Sequence, residues 1–262
     1  MSDILHTIAE HAALRVARAK EQLPLADLKT QALAMECRTG FPFEQALAAE
    51  GVSFICECKK ASPSKGLIAP DFPYLSIARE YEAAGASCVS VLTEPKWFLG
   101  QDQYLKEIAE AVSIPCLRKD FTVDPYMIYE AKVLGAGAVL LICSLLDTET
   151  LREYIAICDE LGLSALVEAH DPAEVASAVK AGARIIGVNN RDLKTFQVDA
   201  RNCLRLRALV PENILFVAES GIKTPGDIAD LNAAGVNGVL IGETLMRAED
   251  KKQMLDHLRG GL

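Results

Sequence analysis

Charged side chains stand at the ends of several short apolar runs in this sequence. They are Glu57 and Lys59, Lys119, Glu168, Arg191 beside Asn189, and Glu219. Burying an unpaired charge costs several kcal/mol, so these groups must pair, shift their pKa values or face a wet pocket. A structural ion-pair network is one explanation. Five such run ends meeting at one place favour a functional site instead, because a neighbouring Glu and Lys can serve as an acid–base pair.

Eight runs of this kind predict the strands that position these charges. They are SFICECK (53–59), SCVSVLT (87–93), IPCLRKD (114–120), AGAVLLIC (136–143), LSALVEA (163–169), RIIGVNN (184–190), ILFVAES (214–220) and NGVLIGE (237–243). Their near-continuous hydrophobicity is typical of strands covered on both faces, which is the pattern of a parallel sheet.

Helical periodicity fills the segments between the runs, as in 74–85, 151–162 and 227–235, and each of these segments ends in Gly. Gly suits a helix C-terminus. Alternating strands and helices form either an open doubly wound sheet or a closed barrel. Eight strands in 262 residues favour an α/β fold of the (β/α)8 TIM-barrel type. The absence of GxGxxG after the first strand weighs against a dinucleotide fold.

The first 50 residues do not follow this repeat. They predict a helix at about 3–21, a break at Pro24, a short helix near 25–37 and a turn at 40–42. A segment of this size is too short to form its own core. We therefore expect one domain over 1–262, with 1–50 as a helical extension packed on the barrel at 51–262.

Strand periodicity predicts where the charges point. Alternate residues of a barrel strand face inward, and catalytic groups gather at the C-terminal ends of the strands. If Cys56 and Cys58 meet the surrounding helices, Glu57 and Lys59 must share the interior face.

A phosphate subsite is predicted separately. Barrels often bind phosphate at the loops after strands seven and eight, which read AESGI (218–222) and IGETL (241–245) here. Gly221 and Gly242 would let backbone N–H groups approach an anion. Glu243 is an awkward neighbour for an anion, so we expect its backbone and not its carboxylate to face the ligand.

Composition excludes several classes of function. A net charge of −9 with no basic run argues against nucleic acid or an anionic membrane as partner. No apolar run reaches the roughly 20 residues needed to cross a bilayer. The eight cysteines form no CxxC pair, which argues against zinc, and the polar N-terminus is unlike a signal peptide. We expect reduced thiols in a cytoplasmic protein that carries no metal.

Seven motifs carry a resemblance to a known family. They are ECKKASPSKG (57–66), LTEPKWFLGQ (92–101), LRKDF (117–121), ALVEAH (165–170), IGVNNRDL (186–193), VAESGI (217–222) and IGETLM (241–246). In this order they resemble indole-3-glycerol phosphate synthase, over nearly the whole chain. The resemblance implies a lyase of tryptophan biosynthesis that converts 1-(2-carboxyphenylamino)-1-deoxyribulose 5-phosphate to indole-3-glycerol phosphate, carbon dioxide and water. It implies no cofactor or metal, and a small sugar phosphate as the binding partner.

The resemblance also implies four catalytic residues. Lys119 matches the general acid that protonates the substrate ketone during ring closure. Glu168 would assist proton transfers in the dehydration, and Glu57 would orient Lys119 and the substrate hydroxyls. Lys59 would lie near the substrate's carboxylate or phosphate and could donate a proton in the dehydration.

Further matched positions would bind substrate. Asn189 and Arg191 would contact its polar portion, Glu219 its ribulosyl hydroxyls, and Phe98 with Pro63 the anthranilate ring. Ser62 and Pro63 belong to a mobile lid, SPSKG (62–66), and are assigned to substrate binding, whereas Trp97 is expected to pack within its loop. Ser220, Gly221 and Gly242 match the phosphate cradle. Glu243, the fourth position assigned to it, stands where some members have a serine that touches phosphate, so only a side-chain contact is in doubt.

Three other functions compete with this interpretation. A Schiff-base lyase would use Lys59 or Lys119 as nucleophile. A phosphoribosyl isomerase of the same pathway would share the phosphate cradle but needs Asp and Cys at strand ends, where this chain has Glu and Lys. A barrel that only binds a sugar phosphate would not require so many buried charges. We expect a monomer or a weak homodimer.

Overall fold

Eight parallel strands close into a barrel in the computed structural model, which describes residues 4–192 and 196–260. The strands are β1 (Ser53–Cys58), β2 (Cys88–Leu92), β3 (Cys116–Lys119), β4 (Ala138–Ile142), β5 (Ser164–Ala169), β6 (Ile185–Asn189), β7 (Leu215–Glu219) and β8 (Gly238–Ile241). Each pairs with the next, and β8 pairs with β1. The predicted TIM barrel is confirmed, with every predicted strand in place. Leu193 of the fifth motif and residue 3 of the first predicted helix lie outside the described residues.

Strand alternation divides the core into two layers. Cys56 and Cys58 of β1 pack in the layer between the barrel and its helices, whereas Ile55 packs inside the barrel. Glu57 lies opposite Ser90 of β2 and contributes to the cavity at the C-terminal ends of the strands. The expectation that Glu57 and Lys59 share the interior face is therefore confirmed, because a period of two leaves no other choice once the cysteines face outward.

Twelve helices lie in the described part of the chain. They are α1 (Ile4–Gln22), α2 (Leu25–Leu33), α3 (Pro42–Leu47), α4 (Tyr74–Ala83), α5 (Asp102–Ala111), α6 (Pro125–Val133), α7 (Thr148–Leu161), α8 (Pro172–Ala181), α9 (Asn202–Arg207), α10 (Pro225–Ala233), α11 (Glu243–Met246) and α12 (Lys251–Leu258). Side chains of Asp124, Asp147, Asp171 and Thr224 cap the N-termini of α6, α7, α8 and α10. Such caps satisfy backbone donors that the helix leaves unpaired, and they place each helix start directly after a strand-end loop.

The N-terminal extension contacts both ends of the barrel. At the C-terminal end, Arg15 of α1 donates to both carboxylate oxygens of Asp120 at 2.7 and 3.1 Å, one residue beyond Lys119. At the opposite end, Phe43 and Leu47 of α3 are buried among residues of the barrel interior. Helix α3 was not predicted. Its short apolar face becomes visible only against the floor of the barrel, where Leu47 contacts Gly238.

The second helix ends earlier than predicted, at Leu33 and not near residue 37. A backbone carbonyl group beyond its end accepts a hydrogen bond from another helix, because Lys132 of α6 donates to the backbone oxygen of Glu36 at 2.6 Å. Gly162, in the left-handed conformation at the end of α7, has its carbonyl bonded to Thr39 at 2.6 Å. The extension therefore packs on the barrel. That 1–262 folds as one domain stays a prediction.

All eight cysteines are free thiols, and six of them are buried. Within the described ranges, no helix combines the length and the apolar character needed to cross a membrane.

Candidate active site

A cavity opens at the C-terminal ends of the barrel strands. Ten of the residues predicted from the sequence line it: Glu57, Lys59, Pro63, Phe98, Lys119, Glu168, Asn189, Arg191, Glu219 and Ser220. Four predicted residues are absent from the lining, namely Ser62, Gly221, Gly242 and Glu243. Parallel strands end at one rim, which is why residues up to 163 positions apart, Glu57 and Ser220, meet there.

Lys119 lies at the centre of the charged residues. Its Nζ is 3.6 Å from Glu168 Oε2 and 3.6 Å from Glu219 Oε2. Burial opposes its charge, but the carboxyl groups of Glu219, Glu168 and Glu57 outweigh burial and raise the pKa of Lys119 above its ordinary value. The side chain is therefore an ammonium at neutral pH, able to donate a proton or a charged hydrogen bond.

Glu168 and Glu219 are buried neighbours whose pKa values shift in opposite directions. Burial and the neighbouring Glu168 raise the pKa of Glu219 to about 8. Burial also disfavours the charge of Glu168, but Lys119 and His170 outweigh it and lower the pKa of Glu168 to about 2. At neutral pH Glu168 is thus a carboxylate and Glu219 a protonated acid, the arrangement expected when two carboxyl groups cannot both ionise.

Replacing Glu219 with Gln is expected to raise the melting temperature more at pH 9 than at pH 5. The native state holds the Glu219 proton up to about pH 8, well above the ordinary value of 4.5. Stability of the parent protein therefore falls as pH rises through this window, by a few kcal/mol, and levels off above it. Gln stays neutral throughout, so the variant lacks this loss. Calorimetry at pH 5, 7 and 9 measures the difference, with the exposed Glu153→Gln as control. A difference in melting temperature that does not change with pH would contradict the assignment.

Room for Glu219 comes from a residue that the sequence did not point to. A Cβ at position 187 would lie 2.5 Å from Glu219 Oε1, so Gly187 on the neighbouring strand leaves the space that this side chain occupies. A glycine inside a strand is a known sign of close approach, and that signal was available in RIIGVNN.

Glu57 and Lys59 form an ion pair on the β1 side of the cavity. Ser90 of β2 donates to the other oxygen of Glu57 at 3.3 Å. Gly242, after β8, packs directly on this pair: a Cβ there would lie 2.5 Å from Glu57 Oε1 and 3.1 Å from Lys59 Nζ. Gly242 therefore borders the acid–base pair although it does not line the cavity.

The loop after β1 folds over the cavity as a small hairpin. Ala61–Ser62 pairs with Gly66–Leu67 in antiparallel fashion, and Pro63 with Ser64 faces the cavity. Ser62 is itself buried in the hairpin. Lys65 at its tip reaches Glu243, whose carboxylate also meets Arg247 at 3.2 Å. The Glu243 carboxylate is thus held by two cations.

The loop after β2 presents Phe98 to the cavity. The buried carboxylate of Glu94 accepts backbone N–H groups of Lys96, Trp97 and Phe98 at 2.7–3.0 Å, which fixes the turn. Phe98 lies 6.0 Å from Phe121, ring centre to ring centre. Trp97 is absent from the cavity lining. Lys96 of the same loop lies over its ring, with Nζ 4.6 Å from the ring centre, but the ring also packs edge-on against His11 of α1, 5.3 Å away, so its packing extends beyond the loop.

The loops after β6 and β7 hold the remaining polar residues. Ser220 has a left-handed φ of 65° and Gly221 one of 82°, so the chain turns sharply after β7. Asn190 supports this turn by donating to the Ser220 oxygen at 3.0 Å. Asn189 donates to Glu168 Oε1 at 3.5 Å, and its own oxygen accepts the N–H of Arg191 at 3.0 Å.

The chain is similar to known proteins both in sequence and in fold. The family model for indole-3-glycerol phosphate synthase matches residues 5–258. Curated relatives of that name are 58% identical in Ruminiclostridium cellulolyticum, over 98% of this chain and 99% of the relative, and 52% identical in Lachnoclostridium phytofermentans, over 98% of both chains. The relative from Lacticaseibacillus casei is 53% identical over 96% of this chain and 97% of its own length.

The chain belongs to the indole-3-glycerol phosphate synthase family. The resemblance found in the sequence is confirmed, and with it the enzyme class, a carboxy-lyase of tryptophan biosynthesis. A phosphoribosyl isomerase and a barrel without catalysis are thereby set aside.

Solved structures of low identity share the fold alone. The 3-hexulose-6-phosphate synthase from Salmonella typhimurium has a TM-score of 0.66 at 15% identity, covering 80% of this chain and 97% of its own. Thiamine phosphate pyrophosphorylase from Pyrococcus furiosus has a TM-score of 0.60 at 16% identity, covering 80% and 94%.

In this synthase family member, apolar residues that the sequence did not point to also line the cavity. They are Ile4, Leu5 and Ile8 of α1 with Leu92, Phe121, Leu140, Ile142 and Leu240 of the barrel. The apolar spacing of α1 predicts a buried face but not which surface it covers. Arg118, by contrast, ends a predicted strand yet faces outward, where it meets Asp102 and Glu130 at 2.7 Å.

Proposed function

We propose that the chain forms indole-3-glycerol phosphate in this cavity with Lys119 as general acid and the carboxyl groups around it as its partners. The observation that carries the proposal is the Lys119 ammonium, 3.6 Å from both Glu168 and Glu219 within the cavity. An ammonium held ready in a water-poor site stabilises a developing negative charge more strongly than water does.

Ring closure is the first step. The aromatic carbon attacks the substrate ketone, the carbonyl π electrons move to oxygen, and Lys119 supplies the proton that this oxygen takes up. Glu57 would orient Lys119 and the substrate hydroxyls. Glu219, protonated at neutral pH, would donate to a ribulosyl hydroxyl.

Decarboxylation is the second step. The substrate ring would lie against Phe98 and Pro63, with Leu5 and Ile8 of α1 closing the slot. Moving a carboxylate from water into apolar surroundings destabilises its charge, so conversion of the carboxylate to uncharged carbon dioxide becomes easier. The C–C bond then breaks, carbon dioxide leaves, and the electrons stay in the new ring.

Dehydration needs an acid and a base on opposite sides of the new ring. Lys59, directly after β1, and Glu168 on β5 are suited to this, because β1 and β5 lie opposite each other in the eight-stranded barrel, with three strands between them on either side. Lys59 would protonate the departing hydroxyl, and Glu168 would remove the proton that restores the indole. Asn189 and Arg191 would bind the polar portion of the substrate between them.

The phosphate would bind at the loops after β7 and β8. Ser220 lines the cavity, and the left-handed turn at Ser220 and Gly221 orients backbone N–H groups. Gly242 and the backbone of Glu243 would complete this cradle. The carboxylate of Glu243 is occupied by Lys65 and Arg247, which supports the expectation that it faces away from an anion. Ser62 would act by supporting the hairpin that carries Pro63.

Replacing Gly242 with Ala is expected to lower kcat/KM by about 100-fold, since displacements of about 1 Å in a catalytic group can cost this much. The added methyl group meets the Glu57–Lys59 pair at 2.5 and 3.1 Å and crowds the phosphate loop. Steady-state kinetics and inhibition by inorganic phosphate measure the effect. Gly226→Ala is the control, because its Cβ finds only an ordinary contact at 3.6 Å. Equal kinetics for the two variants would contradict the cradle.

The direct test of the proposed activity is indole fluorescence from 1-(2-carboxyphenylamino)-1-deoxyribulose 5-phosphate. We expect a signal without added metal or cofactor. No signal from folded protein would overturn the proposal.

We further infer a cytoplasmic enzyme that is a monomer or weak homodimer and binds no nucleic acid. Eight free thiols and a net charge of −9 support this. Size-exclusion chromatography over a range of concentrations tests the oligomeric state.

A further inference from the structure

A chain of polar contacts leads from Glu168 away from the cavity. Glu168 Oε2 faces Lys119, while Oε1 lies 3.3 Å from His170 Nε2. The other ring nitrogen of His170, Nδ1, lies 3.0 Å from Glu174 Oε2. Ser144, after β4, donates to the second oxygen of Glu174 at 2.6 Å. The imidazole is thus held between two carboxylates at its two nitrogens.

Backbone contacts fix the same residue. Its N–H donates to Glu174 Oε2 at 2.8 Å, and Asn202 of α9 donates to its carbonyl oxygen at 3.1 Å. Glu174 lies in the first turn of α8, which Asp171 caps. The backbone at His170 is therefore tied to α8 and α9, and turning its ring would break the contacts of its two nitrogens with Glu168 and Glu174.

The distances from the Lys119 ammonium do not distinguish Glu168 from Glu219. The distance from its Nζ to each carboxyl group is the same, 3.6 Å. The pKa values of the two groups nevertheless shift in opposite directions, down for Glu168 and up for Glu219. The ion pairs of His170 are with Glu168 and Glu174, so His170 breaks the symmetry of the pair.

We propose that His170, held by Glu174, is a positioning residue that keeps the negative charge on Glu168 and the shared proton on Glu219. This inference rests on the proposed role of Glu168 as the base of the dehydration. A cation at 3.3 Å from one of two competing carboxyl groups stabilises its ionised form. His170 is such a cation, because the neighbouring carboxylates of Glu168 and Glu174 outweigh burial and raise its pKa to about 10.

Other charged groups share the surroundings of His170, and their titration enters any pH profile. The titratable and charged groups that line the adjoining cavity are His6, Glu174, Asp171, Arg191, Asp192, Asp199 and Arg205. Burial disfavours the charge of Glu174, but its hydrogen bonds to His170 and Ser144 outweigh burial and lower its pKa, and the hydrogen bond to Arg205 lowers the pKa of Asp199.

The test compares His170→Gln with the parent enzyme. Gln can keep a hydrogen bond to Glu168 but has no charge, so we expect kcat to fall about tenfold at pH 7 while KM changes less than threefold. The acid limb of the kcat profile should move to higher pH, because Glu168 loses a neighbouring cation. Glu174→Gln should move it in the same direction by less. His257→Gln, at an exposed position of α12, is the matched control.

A double-mutant cycle with Glu219→Gln separates positioning from a structural role. The amide at 219 cannot exchange a proton with Glu168, so the loss of kcat caused by His170→Gln should shrink severalfold in that background. Additive effects together with an unmoved acid limb would overturn the proposal. If His170→Gln does not fold, the same two measurements on Glu174→Gln decide it. An active Glu168→Gln would instead refute the proposed role of Glu168 itself.

Discussion

Replacing Lys119 with alanine is expected to lower kcat by about 1000-fold or more, since general acid catalysis alone contributes about 10²- to 10⁴-fold and the lost charge adds to it. The Lys119 ammonium is the cation between Glu168 and Glu219. Without it, nothing at this position protonates the ketone oxygen during ring closure, and the carboxyl groups lose their counterion. Binding of product should change far less, because the loops proposed to bind phosphate and the apolar residues that line the cavity are unchanged.

Steady-state kinetics and a product-binding titration separate the two effects. Lys106→Ala, at an exposed position of α5, is the matched control and should behave as the parent enzyme. Near-normal turnover in Lys119→Ala would remove Lys119 from the proposed mechanism. Borohydride treatment in the presence of substrate tests the competing Schiff-base mechanism: a trapped covalent adduct on Lys119 or Lys59 would contradict the acid–base assignment.

Replacing Glu168 with Gln is expected to lower kcat by about 100- to 1000-fold, because the amide keeps the shape of the side chain but accepts no proton. Glu168 is buried, ionised and in contact with Lys119, His170 and Asn189. Its loss should affect the dehydration more than the ring closure. We therefore expect an intermediate that has lost carbon dioxide but not water to accumulate in a single turnover.

Rapid quenching with separate detection of carbon dioxide and indole product measures this. Release of carbon dioxide should precede formation of indole by a wide margin in the variant. The exposed Glu153→Gln of α7 serves as control and should show no delay. Equal rates for the two products, at a normal kcat, would show that Glu168 is not the base.

The sequence predicted most of the barrel because its signals are local. A run such as SFICECK identifies a buried strand by composition, and the period of two assigns Cys56 and Glu57 to opposite faces without any tertiary information. The same rule placed Lys119 at the rim. The seven motifs then indicated the family. The closed barrel of the structure confirmed the fold, and the match to the family model confirmed the family.

Only the tertiary structure decided which of these side chains meet. Glu168 and Glu219 lie 51 positions apart, and whether they share a proton depends on how the barrel closes and on the space left by Gly187. The same holds for Leu5 and Ile8, whose helix could have covered any apolar surface. Contacts between distant segments follow from closure and packing, which local periodicity does not encode.

The ring of strand-end charges shows both parts. Residue type and spacing alone determined that carboxylates and ammonium groups gather at one rim. The three-dimensional arrangement divided them into the pair of Glu57 with Lys59, the ammonium of Lys119 and two carboxyl groups of opposite protonation state. The physical reason is that protonation depends on burial and on neighbours within a few ångströms, and for these residues the neighbours come from other strands.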